Sequence, residues 1–164
     1  MIENLINLVK ENAGDLIVNN QAIANEHNDA AISETGSAIT DGLKSALSSG
    51  NLGGLTDLLK GGADGLVSNP IVSSIIGNLT SSLTSKFNVS GADAGNIATS
   101  LIPQVMNQLV SKTNDPNDNS FDVKTIVSSL GGANLGGMIG NMFGGNKNEG
   151  ESGGIGGMLK NFLG

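Results

Sequence analysis

The residues that could do chemistry in this chain are few, and each can be checked against the spacing its chemistry needs. The sole histidine is His27, in Glu26-His27-Asn28-Asp29. A zinc site needs several nitrogen or sulfur ligands, and with no cysteine and no second histidine none is near in sequence. His27 therefore reads as a solvated residue at a helix start. Asp115, Asn117 and Asn119 follow the 1-3-5 spacing of a calcium loop. The pattern then fails, with Ser120 at the position of the obligatory glycine and Ile126 at that of the bidentate glutamate. A polar turn is the expectation, with weak calcium binding through Asp115, Asn117, Asn119 and Asp122 as the alternative. Gly150-Glu151-Ser152-Gly153-Gly154 matches the nucleophile-elbow pattern, but that mechanism needs a strained strand-to-helix turn in an α/β sheet, and the segment is a Gly-rich linker. No Gly-Lys dipeptide exists to build a phosphate loop. Carboxylates are plentiful, but acid–base work needs them held in a pocket with separated pKa values. No catalytic, cofactor-binding or metal-ligating residue is assigned, and the chain is not read as an enzyme.

Composition narrows the partners. The net charge is −7, and all eight basic residues are lysines. Arginine is the preferred bidentate reader of phosphate and guanine, so an acidic, Arg-free chain has no electrostatic footprint for nucleic acid. The same charge opposes anionic lipid. The aromatics are Phe87, Phe121, Phe143 and Phe162, so the core must be aliphatic and thin per residue. Met1-Ile2-Glu3-Asn4-Leu5 lacks the basic and apolar regions of a signal peptide. No apolar run approaches the roughly 20 residues of a spanning helix. A cytoplasmic location is the expectation.

The elements that must position any site are helices. Ile2, Leu5, Ile6 and Val9 stand at helical spacing, ending near Gly14, with Leu16, Ile17 and Val18 as an apolar continuation. A second helix carries Ile32, Gly36, Ile39, Leu43, Ala46 and Leu47 on one face and stops at Ser48-Ser49-Gly50. A Gly-rich stretch holds the apolar piece Leu52, Leu55, Leu58 and Leu59. Ser68-Asn69-Pro70 opens a helix that continues through Ile71, Val72, Ile75, Ile76, Leu79 and Leu83. Ser90 to Asp93 reads as a capping box, followed by Ile97, Ala98, Leu101, Ile102, Val105 and Leu109 on one face. Pro103 lies inside that helix and predicts a kink. After the loop 114–120, Val123, Ile126, Val127 and Leu130 form a short amphipathic helix. Nothing alternates with period two, so the class is all-α, a small helical bundle.

Two internal echoes follow. At a shift of 63 positions, residues 9–47 align with 72–110 without gaps and with seven identities. The helix order matches as well, so either a helical unit is duplicated or the likeness is compositional. Units of 1–62 and 63–132 with a tail of 133–164 describe the chain. The second echo is closer. Leu135-Gly136-Gly137-Met138-Ile139-Gly140-Asn141-Met142-Phe143-Gly144 repeats as Ile155-Gly156-Gly157-Met158-Leu159-Lys160-Asn161-Phe162-Leu163-Gly164, identical at five of ten positions and apolar at every apolar one. Leu52-Gly53-Gly54-Leu55 through Gly61 is a looser third copy. In the two C-terminal copies the apolar residues form one helical stripe. Each glycine costs a helix about 0.5–1 kcal/mol against alanine, and helices shorter than about 12 residues are marginal in water. These pieces need a surface: their own core, another subunit, another protein or a bilayer.

Phe87-Asn88-Val89-Ser90-Gly91-Ala92-Asp93, then Leu101-Ile102-Pro103, then Phe121-Asp122 to Leu130-Gly131-Gly132 resemble the YidB-like bacterial family. The resemblance is best over 71–145. It implies a small all-helical protein with Gly/Leu-rich repeats after a Pro-containing helix, and it supplies no activity and no catalytic residue.

The expected function is a protein-interaction or self-assembly module, with Leu135, Met138, Ile139, Met142, Phe143, Ile155, Met158, Leu159, Phe162 and Leu163 as contact residues. Its partner is a second copy or another protein, with no nucleic acid and no cofactor. The alternative is a membrane-surface protein using the same segments as interfacial helices. Such helices usually carry Lys or Arg on the polar face. Here only Lys160 lies within a copy, with Lys147 just beyond the other, and glycine permits close helix–helix approach. Both points favour protein over lipid.

Overall fold

The computed structural model describes residues 2–60, 66, 68–115, 117, 121, 126, 129 and 130. All regular structure among them is helical. The elements are α1 (Ile2–Asn12), a π-helical turn (Gly14–Val18), a 3-10 turn (Asn25–His27), α2 (Asn28–Ser48), α3 (Leu52–Lys60), α4 (Pro70–Phe87) and α5 (Gly91–Thr113). The apolar piece at Leu52 to Leu59 is thus a helix in its own right.

Helices α4 and α5 each start at a side-chain cap. Asn69 caps α4, its Oδ1 accepting from the Ile71 N–H at 2.8 Å, with Pro70 in the first turn, where its missing donor costs nothing. Asn88 ends α4 in the left-handed conformation, φ 55°, which asparagine tolerates better than most residues. Ser90 then caps α5. Its Oγ accepts from the Asp93 N–H, the anticipated cap, and donates to Asp93 Oδ2 at 2.7 Å, so the carboxylate takes the Ser90 hydroxyl where a full capping box would take its backbone N–H. Ser90→Ala should lower stability by about 1 kcal/mol, read from urea unfolding followed by circular dichroism. Helix α5 continues as helix through Pro103 to Thr113. Proline removes the bond to the Thr99 carbonyl, on the exposed side of the helix where water can replace it.

One continuous, mainly aliphatic core joins the helices and the π-helical turn, with Phe121 as its buried aromatic among the described residues. Its buried residues include Leu5 and Val9 of α1, Ile39 and Leu43 of α2, Ile75, Leu79 and Leu83 of α4, and Leu101, Ile102 and Val105 of α5. Among the described residues the buried polar side chains are Thr35 and Thr40. Both return their hydroxyl to their own helix, Thr35 to the Ala31 carbonyl at 2.8 Å and Thr40 to the Gly36 carbonyl at 2.9 Å.

The helices of each half pack on one another, and also across halves: α2 lies on α4, and α1 on α5. The first residues of α2 and α5, Asn28 and Gly91, are 63 positions apart. At that shift eight buried positions of α2 fall on eight buried positions of α5, from Ala31 on Ala94 to Leu47 on Val110. Leu8 and Val9 fall on the buried Ile71 and Val72. Ala13 and Ile17, spaced like the buried Ile75 and Leu79, match them one position out of step. Over α2 and α5 the two halves thus share their buried register.

Gly42 sets the distance between α2 and α4. A Cβ built there would lie 2.2 Å from Ile75 Cγ1, so only glycine lets the two backbones approach this closely.

Candidate interaction surface

Helix α3 is the described copy of the Gly-rich pattern. Two adjacent glycines, Gly53 and Gly54, weaken it as a helix, so it depends on what it touches. Leu55, Leu58 and Leu59 are all buried, at 2%, 3% and 0% exposure, against α2 and α5. Its ends are tied. Asn51 Oδ1 accepts from the Gly54 N–H at 3.1 Å at the start, and Asn114 Nδ2, just beyond α5, donates to the Leu59 carbonyl at 2.9 Å near the finish. The dependence on a surface anticipated from glycine content is met here by the protein's own bundle. The closer copies, with Leu135, Met138, Ile139, Met142, Phe143, Ile155, Met158, Leu159, Phe162 and Leu163, lie outside the described residues.

Other sequence candidates can be located. His27 stands at the start of α2, half exposed, its ring 5.8 Å from that of Phe87 and its Nε2 3.7 Å from Glu26 Oε1. Asp115 Oδ1 accepts from the Asn117 N–H at 2.8 Å, an Asx turn; Asn119 and Asp122 lie outside the described residues. Among the described residues no three His, Cys, Asp or Glu side chains come together as metal ligands. A concavity of about 460 Å³ runs along Val18 to Asn25, and two of its carboxamides, those of Asn19 and Asn20, are committed to the chain itself. Asn19 donates to Asp15 Oδ1, and Asn20 donates to the Leu16 carbonyl while accepting from the Ala22 N–H.

A different groove, of about 370 Å³, opens beside the start of α1. Ile2, Glu3, Thr40, Lys44, Ser129 and Leu130 line it. Ile2 was expected on the buried stripe with Leu5, Ile6 and Val9; it is instead 51% exposed. It belongs to the first turn of α1, one turn beyond the last core residue, Leu5, and faces this groove. Helical spacing gives the stripe's direction and not where the core ends along it, which is why the sequence misplaces Ile2.

The electrostatics are as spare as the composition suggests. Lys86 Nζ of α4 meets both carboxylate oxygens of Glu34 of α2, at 2.7 and 2.8 Å. Partial burial would raise the Glu34 carboxyl, but hydrogen bonds from Lys86 and Ser82 and the lysine charge outweigh it and hold the group below its ordinary value. A lowered folded-state pKa contributes stability above the unfolded carboxylate range and loses it as pH falls through the folded value. The wild type should therefore lose about 1 kcal/mol relative to Glu34→Gln between pH 6 and pH 3, measured by urea unfolding at each pH. A separation of 52 positions hides this pair from the sequence.

Comparison with family models, with curated proteins and with solved structures finds no match to the chain.

Proposed function

We propose that the protein is a non-enzymatic interaction module that associates with further copies of itself through the Gly-rich stripes at 135–143 and 155–163. The observation that carries this reading is α3. The same kind of segment, too rich in glycine to hold a helix alone, is helical where Leu55, Leu58 and Leu59 are covered. Each fully buried aliphatic side chain contributes about 1.5–3 kcal/mol, enough for a few such contacts to offset two or three helical glycines. The stripes at 135–143 and 155–163 each carry five such positions. Kinship with the YidB-like family, carried by the motifs within 87–132, is part of the same proposal and adds no activity to it.

Partners of opposite charge are not required, since the stripe at 135–143 contains no ionisable residue. No helix among the described residues is long and apolar enough to cross a membrane. The test is sedimentation velocity of the full chain beside a chain ending at Asn134. The full chain should form dimers or larger species at micromolar concentration, and the shortened chain should remain a monomer with unchanged helical circular dichroism. Identical monomers in both samples would sink the reading. Flotation of the full chain with neutral liposomes, in place of self-association, would replace it with a membrane-surface role.

A further inference from the structure

We infer that α3 is a strap that opens on its own while α1, α2, α4 and α5 stay packed, and that the Asn114 side chain is its latch. The inference stands whether or not the chain self-associates. Helix α3 has nine residues, fewer than the roughly 12 below which an isolated helix is marginal in water. It holds to the bundle through the buried Leu55, Leu58 and Leu59, where α5 buries nine residues. An element with few buried apolar contacts is the kind that opens below the free energy of global unfolding. Gly50, in the link between α2 and α3, stands in the left-handed region at φ 76° with open space around a built Cβ. The backbone therefore has room to turn at that end.

The two glycines of α3 differ. A Cβ on Gly54 would meet the Asn51 carboxamide at 2.6 Å. That carboxamide caps the helix by accepting the Gly54 N–H, so the cap requires this glycine. A Cβ on Gly53 meets nothing within 4 Å. Gly53 thus weakens the helix with no contact among the described residues that calls for it. At the other end, the Asn114 amide donates to the Leu59 carbonyl at 2.9 Å and to the Val110 carbonyl at 2.8 Å. One planar group thereby fastens the last turn of α3 to the last turn of α5. Breaking the first bond frees α3 and leaves the second to close the end of α5. Opening uncovers the leucine stripe together with its seat on α2 and α5, a matched pair of surfaces that the closed bundle hides.

The test is native-state hydrogen exchange of the full chain at residue resolution, under conditions where exchange reports the opening equilibrium. The amides of Leu58, Leu59 and Lys60 should be protected at least about tenfold less than those of Ile75 to Leu79 in α4, with a smaller dependence on low urea. Gly53→Ala should raise the α3 protection about 2- to 5-fold. Asn114→Ala should lower it about 2- to 10-fold. Either change should carry the same factor to Ile75 through Leu79, whose exposure requires α3 to be open as well. The discriminating variant is Ser90→Ala, at the far end of α5 from Asn114. It should lower protection at Ile75 to Leu79 about fivefold and leave α3 unmoved, because the strap opens without unfolding α5. If Ser90→Ala shifts both sets of amides by one factor, α3 opens only with the whole bundle and the inference is overturned. If Asn114→Ala leaves the α3 amides unchanged, the latch is overturned. Circular dichroism of each variant checks that the bundle is intact.

Discussion

Gly42→Ala should destabilise the protein by about 2–3 kcal/mol, although alanine is the better helix former. At an open helical glycine the same change should stabilise by about 0.5–1 kcal/mol, because alanine loses less backbone entropy on folding. Gly77 of α4 and Gly95 of α5 are such positions, with nothing within 4 Å of a built Cβ. At Gly42 the added atom falls 2.2 Å from Ile75 Cγ1 and 3.0 Å from Cδ1. Ile75 is itself fully buried, and Cγ1, one bond from its Cβ, moves only if χ1 rotates. Either α2 and α4 separate or Ile75 leaves its rotamer, and overpacking of this kind costs about 1–3 kcal/mol beyond the forfeited propensity gain. Urea unfolding of the three variants gives the comparison. A Gly42→Ala protein as stable as Gly77→Ala would mean that the two helices are not pressed together at this point.

Leu101→Ala should be the more damaging change, lowering stability by about 4 kcal/mol. Leu101 is fully buried in α5, and removing three methyl or methylene groups from a dry aliphatic core leaves a cavity as well as losing transfer energy. The residue 63 positions earlier, Ala38 of α2, is also buried. A domain of this size holds only about 5–15 kcal/mol in total, so the melting temperature should fall by about 10 °C or more. A drop below 1 kcal/mol would show that the core collapses around the missing side chain.

The sequence and the structure agree where the signal is periodic and capped. The faces of α2, α4 and α5 follow from apolar spacing, and Asn69-Pro70 and Ser90-Asp93 mark helix starts by the hydrogen bonds their side chains can make. What escaped the sequence has physical causes. Helix α3 is weak by propensity and exists by virtue of Leu55, Leu58 and Leu59 meeting α2 and α5, a property of the tertiary surface. The π turn at Gly14–Val18 needs one extra residue in a helical register, which apolar spacing shows only as an irregularity at Leu16-Ile17-Val18. The exposure of Ile2 depends on where the neighbouring helix ends. The same limit applied to the interaction surface. The stripes at 135–143 and 155–163 were legible as stripes because their spacing is helical, whereas the groove beside Ile2 joins residues from both ends of the described chain and has no local sequence signature.

The crossed packing of the two halves also bears on how the chain acquires its shape during synthesis. Helices α1 and α2 emerge first, but α1 lies against α5 and α2 against α4. The leading hairpin therefore leaves the ribosome with Leu5, Val9, Ile39 and Leu43 lacking part of their final cover. Since α5 ends at Thr113, full burial waits until about that length of chain is free, and the leading half passes through a period in which its apolar side is open to chaperones or to the wrong neighbour. An aliphatic surface without aromatics, interrupted by Gly36 and Gly42, gives such neighbours less to hold than an aromatic one would.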